Sequence, residues 1–248
     1  MLKGKTILIT GANGGLGYAI SKKLFEKNSN LILLYNKNDD NINKLIHYSK
    51  NSKNKIKTYK VDLLNDNNLE KVLKKITKNE SIDIFIHSTS FSLEHDQIID
   101  SKWSDFQHHI ELQTKSFFQI SKSIIPKMKK KKSGKIIGIL SSSVIGRPPS
   151  SLSPYIVAKY SLLGLIKTLA VELGPYGITC NGISPSMCET PLTKKFPKKM
   201  KEINANDIPL KRLVFPDEIA STVLYLCSQM SNFVNGENII ISGGQSMH

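Results

Sequence analysis

The sequence predicts a single α/β domain in which a parallel sheet of about seven strands carries helices on both faces. Three observations support this prediction. The chain has 248 residues, which is enough to bury one full core. Short apolar segments alternate with longer amphipathic ones, as strands and helices do. Strands separated by helices form parallel sheets, and no repeat or low-complexity segment divides residues 1–248.

These segments assign the elements in chain order. The expected strands cover residues 5–10, 30–35, 55–62, 82–88, 134–141, 178–184 and 238–242. The expected helices cover residues 15–27, 41–50, 67–78, 103–130, 154–174 and 216–229. Residues 187–215 do not follow the alternation because they carry Pro191, Pro197 and Pro209, so we expect an irregular substrate lid there.

The composition excludes several classes of protein. Hydrophobic residues make up 40% of the chain, which is too many for a disordered protein. No apolar run reaches the roughly 18 residues that cross a bilayer. We expect no signal peptide, because the first expected strand begins within the first few residues. The three cysteines form neither a disulfide framework nor a C-x-x-C pair. We therefore expect a cytoplasmic protein without membrane association and without a metal site.

The net charge of +15 does not by itself indicate nucleic-acid binding. Only Arg147 and Arg212 among the 35 basic residues are arginines, and arginine is the side chain that suits phosphate and base recognition best. We expect a lysine-coated surface and no nucleic-acid partner. The cluster formed by Lys127 and residues 129–132 is the one candidate for attracting an acidic partner.

A glycine-rich turn directly follows the first expected strand and precedes the first expected helix. Gly11 permits a tight turn, Gly15 allows the backbone to approach a pyrophosphate, and Gly17 allows the helix to pack closely on the sheet. The N-terminus of the helix offers free N–H groups to an anion. The turn therefore predicts a dinucleotide site in a doubly wound, Rossmann-type sheet; its sequence is Thr10-Gly11-Ala12-Asn13-Gly14-Gly15-Leu16-Gly17.

The spacing T-G-x-x-x-G-x-G resembles the fingerprint of the short-chain dehydrogenase/reductase family. Further motifs of the family are Asp62-Leu63, Tyr155-x-x-x-Lys159, the stretch Asn181-Gly182-Ile183-Ser184-Pro185 and the ending Gly243-Gly244. Residues 208–212 and 216–220 resemble the 3-oxoacyl-[acyl-carrier-protein] reductase branch. The resemblance implies an oxidoreductase for a small carbonyl substrate, which an acidic acyl carrier protein could deliver.

The resemblance also implies a homotetramer or homodimer, built through the helices around residues 111–130 and 156–173. The sequence leaves open whether the apolar side chains of these helices form subunit contacts or intramolecular core; they are Ile120, Ile124, Leu162, Leu163 and Ile166.

The cofactor choice depends on the end of the second expected strand. NAD-dependent relatives carry an acidic residue there, whereas this chain has Tyr35-Asn36-Lys37. We favour NADP(H), because a lysine can pair with the 2′-phosphate, and NAD(H) is the alternative. Asp62 either accepts a hydrogen bond from adenine or caps a turn. The cofactor positions implied by the resemblance are Gly11, Asn13, Gly14, Gly15, Leu16, Gly17, Asn36, Lys37, Asp62, Leu63, Ser88, Tyr155, Lys159, Pro185, Cys188 and Thr190.

Tyr155 and Lys159 stand four residues apart, on one face of an expected helix. A free tyrosine with a pKa of ~10 is a poor proton donor, and a neighbouring ammonium lowers that pKa. The resemblance implies that Tyr155 is the acid and that Lys159 tunes it and binds ribose. The family separation of 13 residues to the tyrosine selects Ser142 as the group that polarises the carbonyl, whereas counting along the strand selects Ser141. We take Ser142.

The chain departs from the family pattern at two places. Gln113 aligns with the asparagine that holds a proton-relay water, and its side chain is longer by one methylene. The residues from His87 to Ser90 replace N-N-A-G after the fourth strand, and we expect a structural role for His87. Three functions are compatible with these residues. The first is reduction of a ketone, for which the reductase branch implies a 3-oxoacyl thioester. The second is oxidation of an alcohol or nucleotide-linked sugar, and the third is a cofactor-binding sensor or partner subunit with impaired catalysis.

Overall fold

Seven parallel strands form the central sheet of the computed structural model, in the order β3-β2-β1-β4-β5-β6-β7. This confirms the expected α/β class, and the strand ends agree with the expected ones to within two residues. The strands are β1 (Thr6–Thr10), β2 (Asn30–Tyr35), β3 (Ile56–Lys60), β4 (Ile84–His87), β5 (Gly134–Ile139), β6 (Ile178–Pro185) and β7 (Asn238–Ile241).

The structure describes residues 2–50, 52–194 and 196–247. Met1, Asn51 and His248 of the expected domain, and Lys195 of the expected lid, therefore lie outside the described residues. The α-helices are α1 (Gly15–Phe25), α2 (Asp40–Ser49), α3 (Asp66–Asn79), α4 (Trp103–Ile110), α5 (Ser116–Lys131), α6 (Ser153–Leu173), α7 (Pro191–Lys194), α8 (Lys198–Asp207) and α9 (Pro216–Cys227).

Two expectations about the helices are corrected. The single helix expected over residues 103–130 is divided by a π-helical turn, Glu111–Lys115, which inserts an extra residue between α4 and α5. The segment 187–215 is not irregular throughout, because it contains α7 and α8. Pro191 is the first residue of α7 and Pro197 is the N-cap of α8, positions at which the missing N–H of proline costs no hydrogen bond.

Alternating strand residues bury two separate cores against the two helical layers. Ile7 and Ile9 of β1 pack on the face that α1 and α9 cover, whereas Leu8 packs on the opposite face with α3, α5 and α6. Of the five apolar residues considered for subunit contacts, four belong to this second core, with at most 2% exposure: Ile120, Ile124, Leu162 and Ile166. They therefore stabilise the monomer and give no support to an oligomer.

The order of the strands creates a crevice beside β1. The chain runs outward from β1 to β2 and β3 on one side, and from β4 onward on the other. Ligands of such sheets bind in the crevice beyond the carboxyl ends of the strands at this reversal. Among the residues that the structure describes, no helix combines the length and apolar character needed to cross a bilayer.

The lysine cluster lies at the opposite edge of the sheet from this crevice. It connects the end of α5 to the amino end of β5. Its side chains contact this same chain: Lys127 donates to the Glu80 carbonyl at 2.9 Å, and Lys131 pairs with Asp83 at 2.8 Å. The cluster is therefore not positioned to guide an acidic partner to the crevice.

Candidate active site

The glycine turn connects β1 to α1 by very close backbone approaches. Gly11 has a φ of +65°, and a Cβ there would lie 2.1 Å from the Ser88 carbonyl oxygen at the end of β4. A Cβ on Gly17 would lie 2.1 Å from the Gly11 carbonyl oxygen. Gly17 therefore lets α1 pack on the turn itself, rather than on the sheet as expected. Gly14 caps α1 without a side chain, so the first N–H groups of the helix are open to an anion.

Asn13 fixes this turn to the next helix on the same side of the sheet. Its side-chain oxygen accepts hydrogen bonds from the N–H groups of Asn41 at 3.0 Å and Ile42 at 3.3 Å, near the start of α2. The side-chain oxygen of Asn13 thus has a structural use, and its cofactor role stays a prediction.

The adenosine side of the crevice is mostly exposed. Asn36 and Lys37 are exposed just after β2, and the exposed carboxylates Asp39 and Asp40 follow them. Asp62 accepts a hydrogen bond from the Leu64 N–H at 3.1 Å. One carboxylate oxygen of Asp62 therefore caps a turn, and the expected hydrogen bond from adenine to Asp62 stays a prediction.

Tyr155 and Lys159 lie on α6, facing the end of β5. Lys159 is 2% exposed and donates to the Ile139 carbonyl at 2.8 Å. Its Nζ lies 5.6 Å from the centre of the Tyr155 ring. Burial lowers the pKa of Lys159 to about 7 and raises the pKa of Tyr155. Burial is thus the largest influence on the pKa of Tyr155 here, and its expected lowering by the Lys159 ammonium stays a prediction.

Ser141 opposes the rise in the pKa of Tyr155, so the structure favours the alternative that counting along the strand selects, and the choice between Ser141 and Ser142 stays a prediction. Ser141 also caps the 3₁₀ turn Ser142–Val144 by accepting from the Ser143 N–H at 3.2 Å. β5 ends at Ile139. Ser141 stands 14 residues before the tyrosine and Ser142 stands 13 before it.

Gln113 lies in the π-helical turn and is fully buried. Its Nε2 lies 3.1 Å from His109 Nδ1, and its Oε1 has no hydrogen-bond partner among the described residues. The His109 ring meets the Tyr155 ring edge to face, with centres 6.1 Å apart. Gln113 is therefore connected to Tyr155 through His109.

His87 at the end of β4 is fully buried between two hydroxyl groups. Its Nδ1 lies 2.9 Å from Thr10 Oγ1, and its Nε2 lies 2.8 Å from Thr89 Oγ1. Burial, helped by the charge of Lys159, lowers the pKa of His87 to about 3. These bonds fix the ends of β1 and β4 beside the glycine turn, which is a structural role.

The segment after β6 forms the other side of the crevice. Pro185 is the last residue of β6. Cys188 pairs with Val214 in an isolated parallel bridge, and its carbonyl accepts from Thr193 Oγ1 at 2.7 Å. Burial raises the pKa of the Cys188 thiol to about 12, so the thiol stays protonated. Thr190 donates its N–H to the same Thr193 hydroxyl at 3.0 Å.

A small cavity of about 30 Å³ lies beside Tyr155. Its walls come from α4, from the start of α6 and from the loop after β4, rather than from the expected lid. They are Glu94, Asp96, Ser101, Asp105, His109, Pro154 and Tyr155. A second cavity, of about 80 Å³, is lined by Ser186, by residues of the lid segment and by the end of β7.

Comparisons with known proteins agree with this architecture over nearly the whole chain. A family model described as enoyl-(acyl carrier protein) reductase matches residues 11–246. The 3-oxoacyl-[acyl-carrier-protein] reductase of Thermotoga maritima is 30% identical over 246 residues, covering 98% of each chain. The protein of the same name from Buchnera aphidicola subsp. Baizongia pistaciae is 34% identical over 245 residues, again covering 98% of each chain. The chain belongs to the short-chain dehydrogenase/reductase family.

Two solved structures show the same fold. The 3-ketoacyl-(acyl-carrier-protein) reductase from Brucella melitensis, complexed with NADH, has a TM-score of 0.90 at 22% identity and covers 100% of both chains. Levodione reductase has a TM-score of 0.91 at 24% identity, covering 99% of this chain and 98% of its own. The protein is thus an NAD(P)-binding, Rossmann-type oxidoreductase that acts on CH–OH or C=O groups.

The described residues of this short-chain dehydrogenase/reductase fit a dinucleotide. The glycine turn leaves a cradle that a Cβ would fill, and it points at an open helix N-terminus. Lys159 carries a buried amine that, among the described residues, donates to the Ile139 carbonyl and has room for a further acceptor. His109 belongs to no family motif and was therefore not predicted, although its spacing of four residues from Gln113 places the two side chains on one helix face.

Proposed function

We propose that the enzyme reduces a ketone with NADPH and that its substrate is a 3-oxoacyl thioester. The observation that carries this proposal is the state of Tyr155. The hydroxyl is neutral at neutral pH, so it can donate to a developing alkoxide, and the Lys159 Nζ lies 5.6 Å from the ring centre, where its charge can favour the phenolate that remains. The reductive direction is supported by the curated relatives, which are named reductases.

The chain supplies the acid, its polarising partner and a cation. Tyr155 gives its proton to the carbonyl oxygen, and Ser141 donates a hydrogen bond as negative charge develops there. Lys159 holds the ribose hydroxyls and favours the phenolate that remains. Gln113 occupies the position of the relay asparagine. Bound NADPH supplies the hydride to the carbonyl carbon.

The cofactor would lie along the carboxyl ends of β1 and β4. The open N-terminus of α1 would bind the pyrophosphate, with Gly14, Gly15 and Leu16 as neighbours. The preference for NADP(H) rests on Lys37, which is exposed and close to the end of β2. The exposed carboxylates Asp39 and Asp40 follow Lys37 and repel a 2′-phosphate. We therefore expect the enzyme to bind NADPH more tightly than NADH but to accept both.

The substrate proposal rests on the curated relatives, which are named 3-oxoacyl-[acyl-carrier-protein] reductases. A carrier protein would have to dock at the crevice, away from the lysine cluster. We further propose a cytosolic homotetramer or homodimer. Apolar side chains that remain exposed on α5 and α6 are available for its contacts: Phe118, Val157, Tyr160 and Val171.

The test is to follow oxidation of NADPH and NADH with acetoacetyl thioesters of coenzyme A and of an acyl carrier protein. We expect reduction with both thioesters and a preference for NADPH. The variant Lys37→Ala should weaken NADPH binding about 5- to 10-fold while leaving NADH unaffected. Lys44→Ala is the matched control, because Lys44 is also exposed but lies further along the chain, on α2. Turnover of alcohols alone, or stoichiometric NADPH binding without any turnover, would contradict the proposal.

A further inference from the structure

His109 contacts both the Tyr155 ring and the buried Gln113 side chain. It is half-buried on the last turn of α4. Gln113 contacts its Nδ1 at 3.1 Å, and the Tyr155 ring packs against its ring at 78°. The Phe91 ring packs against it as well, with centres 5.5 Å apart. The imidazole is thus held on three sides and shares a cavity with Tyr155.

We propose that His109 is a positioning residue for Tyr155 that supports turnover only as the neutral imidazole, with Gln113 selecting that form. The proposal rests on the proposed reductase function and deepens it. The Gln113 amide donates to Nδ1, so the proton of the neutral ring is on Nε2. A protonated ring carries a hydrogen on Nδ1 as well, and this hydrogen would face the N–H of the amide.

Protonation of His109 has two physical consequences. Gln113 must turn its amide to present Oε1, so the amide N–H that faces Nδ1 loses its acceptor and the contact that holds the His109 ring changes. A second positive charge also appears close to Lys159, in a site that already penalises the ammonium. Both effects should lower the rate in acid, and neither requires the protein to unfold.

The surroundings of His109 favour the neutral ring. Burial lowers its pKa, and so do the charges of Lys159 and His108, whereas Asp105 raises it. The titratable and charged groups that face it come from α4, from α6 and from the loop after β4; they are Asp105, His108, Tyr155, Lys159, Glu94 and Asp96. The acid limb of the rate profile should therefore lie below pH 6.5.

Three variants separate this role from simple packing. His109→Asn places an amide oxygen near the position of Nδ1 and does not titrate, so it should keep at least about a third of the activity at pH 7.5 and lose the acid limb. His109→Phe keeps the aromatic contact but not the acceptor, so it should lose about tenfold or more in kcat at every pH. Gln113→Met removes the hydrogen bond to Nδ1 and should move the acid limb to higher pH.

His108→Gln is the matched control, because His108 is exposed, adjacent in sequence and on the same helix. It should leave the acid limb in place. A His109→Asn variant with the wild-type acid limb, or a His109→Phe variant with wild-type kcat, would overturn the proposal. Neither result would affect the proposed reductase function, which is tested separately by the activity of Tyr155→Phe.

NMR of the cofactor-free protein measures the tautomer and the titration of His109 independently of turnover. Histidine ¹⁵N–¹H spectra, assigned by the signal lost in His109→Asn, should show the Nε2–H tautomer and a midpoint below pH 6.5. A proton on Nδ1 at neutral pH, or a midpoint above 6.5, would contradict the role assigned to Gln113.

Discussion

Ser141 opposes the burial-driven rise in the pKa of Tyr155, whereas its neighbour Ser142 is the first residue of the following 3₁₀ turn. We therefore propose that the Ser141 hydroxyl, rather than that of Ser142, reaches a carbonyl held beside Tyr155.

Ser141→Ala should lower kcat by about 10²-fold or more, because it removes a donor to the developing oxyanion. Ser142→Ala should stay within about threefold of the wild type, since its side chain is one residue beyond the contact. Steady-state reduction kinetics on both variants check this. A larger loss in Ser142→Ala than in Ser141→Ala would restore the assignment made from spacing alone.

The reaction should weaken in mild alkali. Burial lowers the pKa of Lys159 to about 7, so the ammonium loses its proton above that pH and can no longer favour a phenolate. Because kcat/KM reports groups of the free enzyme, kcat/KM for NADPH should fall as pH rises through about 7. Lys159→Met should abolish this limb together with most of the activity. A flat profile from pH 6.5 to 9 would contradict the prediction.

His87 should make the protein less stable in acid. Its pKa is about 3 in the fold, against an ordinary 6.5, so the unfolded chain binds more protons between these values. Stability should therefore fall as pH drops below 6.5, by about 2 kcal/mol at pH 5. Urea unfolding at both pH values measures the loss.

His87→Phe separates this effect from the other histidines. The variant should be less stable at pH 7 by about 1–3 kcal/mol, because the hydroxyls of Thr10 and Thr89 lose their partner. It should also lose less stability than the wild type between pH 7 and pH 5. An equal acid loss in both proteins would show that His87 does not titrate as described.

Gly17→Ala should abolish NADPH binding and destabilise the fold, because its Cβ would lie 2.1 Å from the Gly11 carbonyl oxygen. Gly164→Ala is the control, since this glycine lies inside α6 with nothing within 4 Å of the added atom. That variant should be more stable by about 0.5–1 kcal/mol. Thermal unfolding and NADPH fluorescence measure both changes, and normal cofactor binding by Gly17→Ala would refute the packing argument.

The fold was predictable from the sequence because its signals are local. Apolar segments such as Ile7–Ile9 and Leu31–Leu34 are buried on both faces of a parallel sheet, so they stand out as continuous apolar runs. The glycine turn was recognisable for the same reason. Its residues act through backbone conformation and close approach, which depend on residue type and spacing.

The details of the site were not predictable because they depend on contacts between residues distant in sequence and on local helix geometry. The serine beside Tyr155 could not be chosen from spacing, because Ser141, Ser142 and Ser143 are adjacent, and the π-helical turn sets the position of Gln113 beside His109. Prolines also interrupt regular structure in many sequences, so the sequence predicts an irregular lid. In the structure, Pro191 and Pro197 instead mark the starts of α7 and α8, which sequence position alone does not reveal.

We propose that Tyr155 donates the proton when the ketone is reduced. Comparing Tyr155→Phe with the wild type in two assays, NADPH binding by fluorescence and reduction of an acetoacetyl thioester, tests this role. We expect kcat to fall about 10³-fold while the NADPH dissociation constant changes less than about threefold. A Tyr155→Phe enzyme that keeps most of its reductase activity would contradict it.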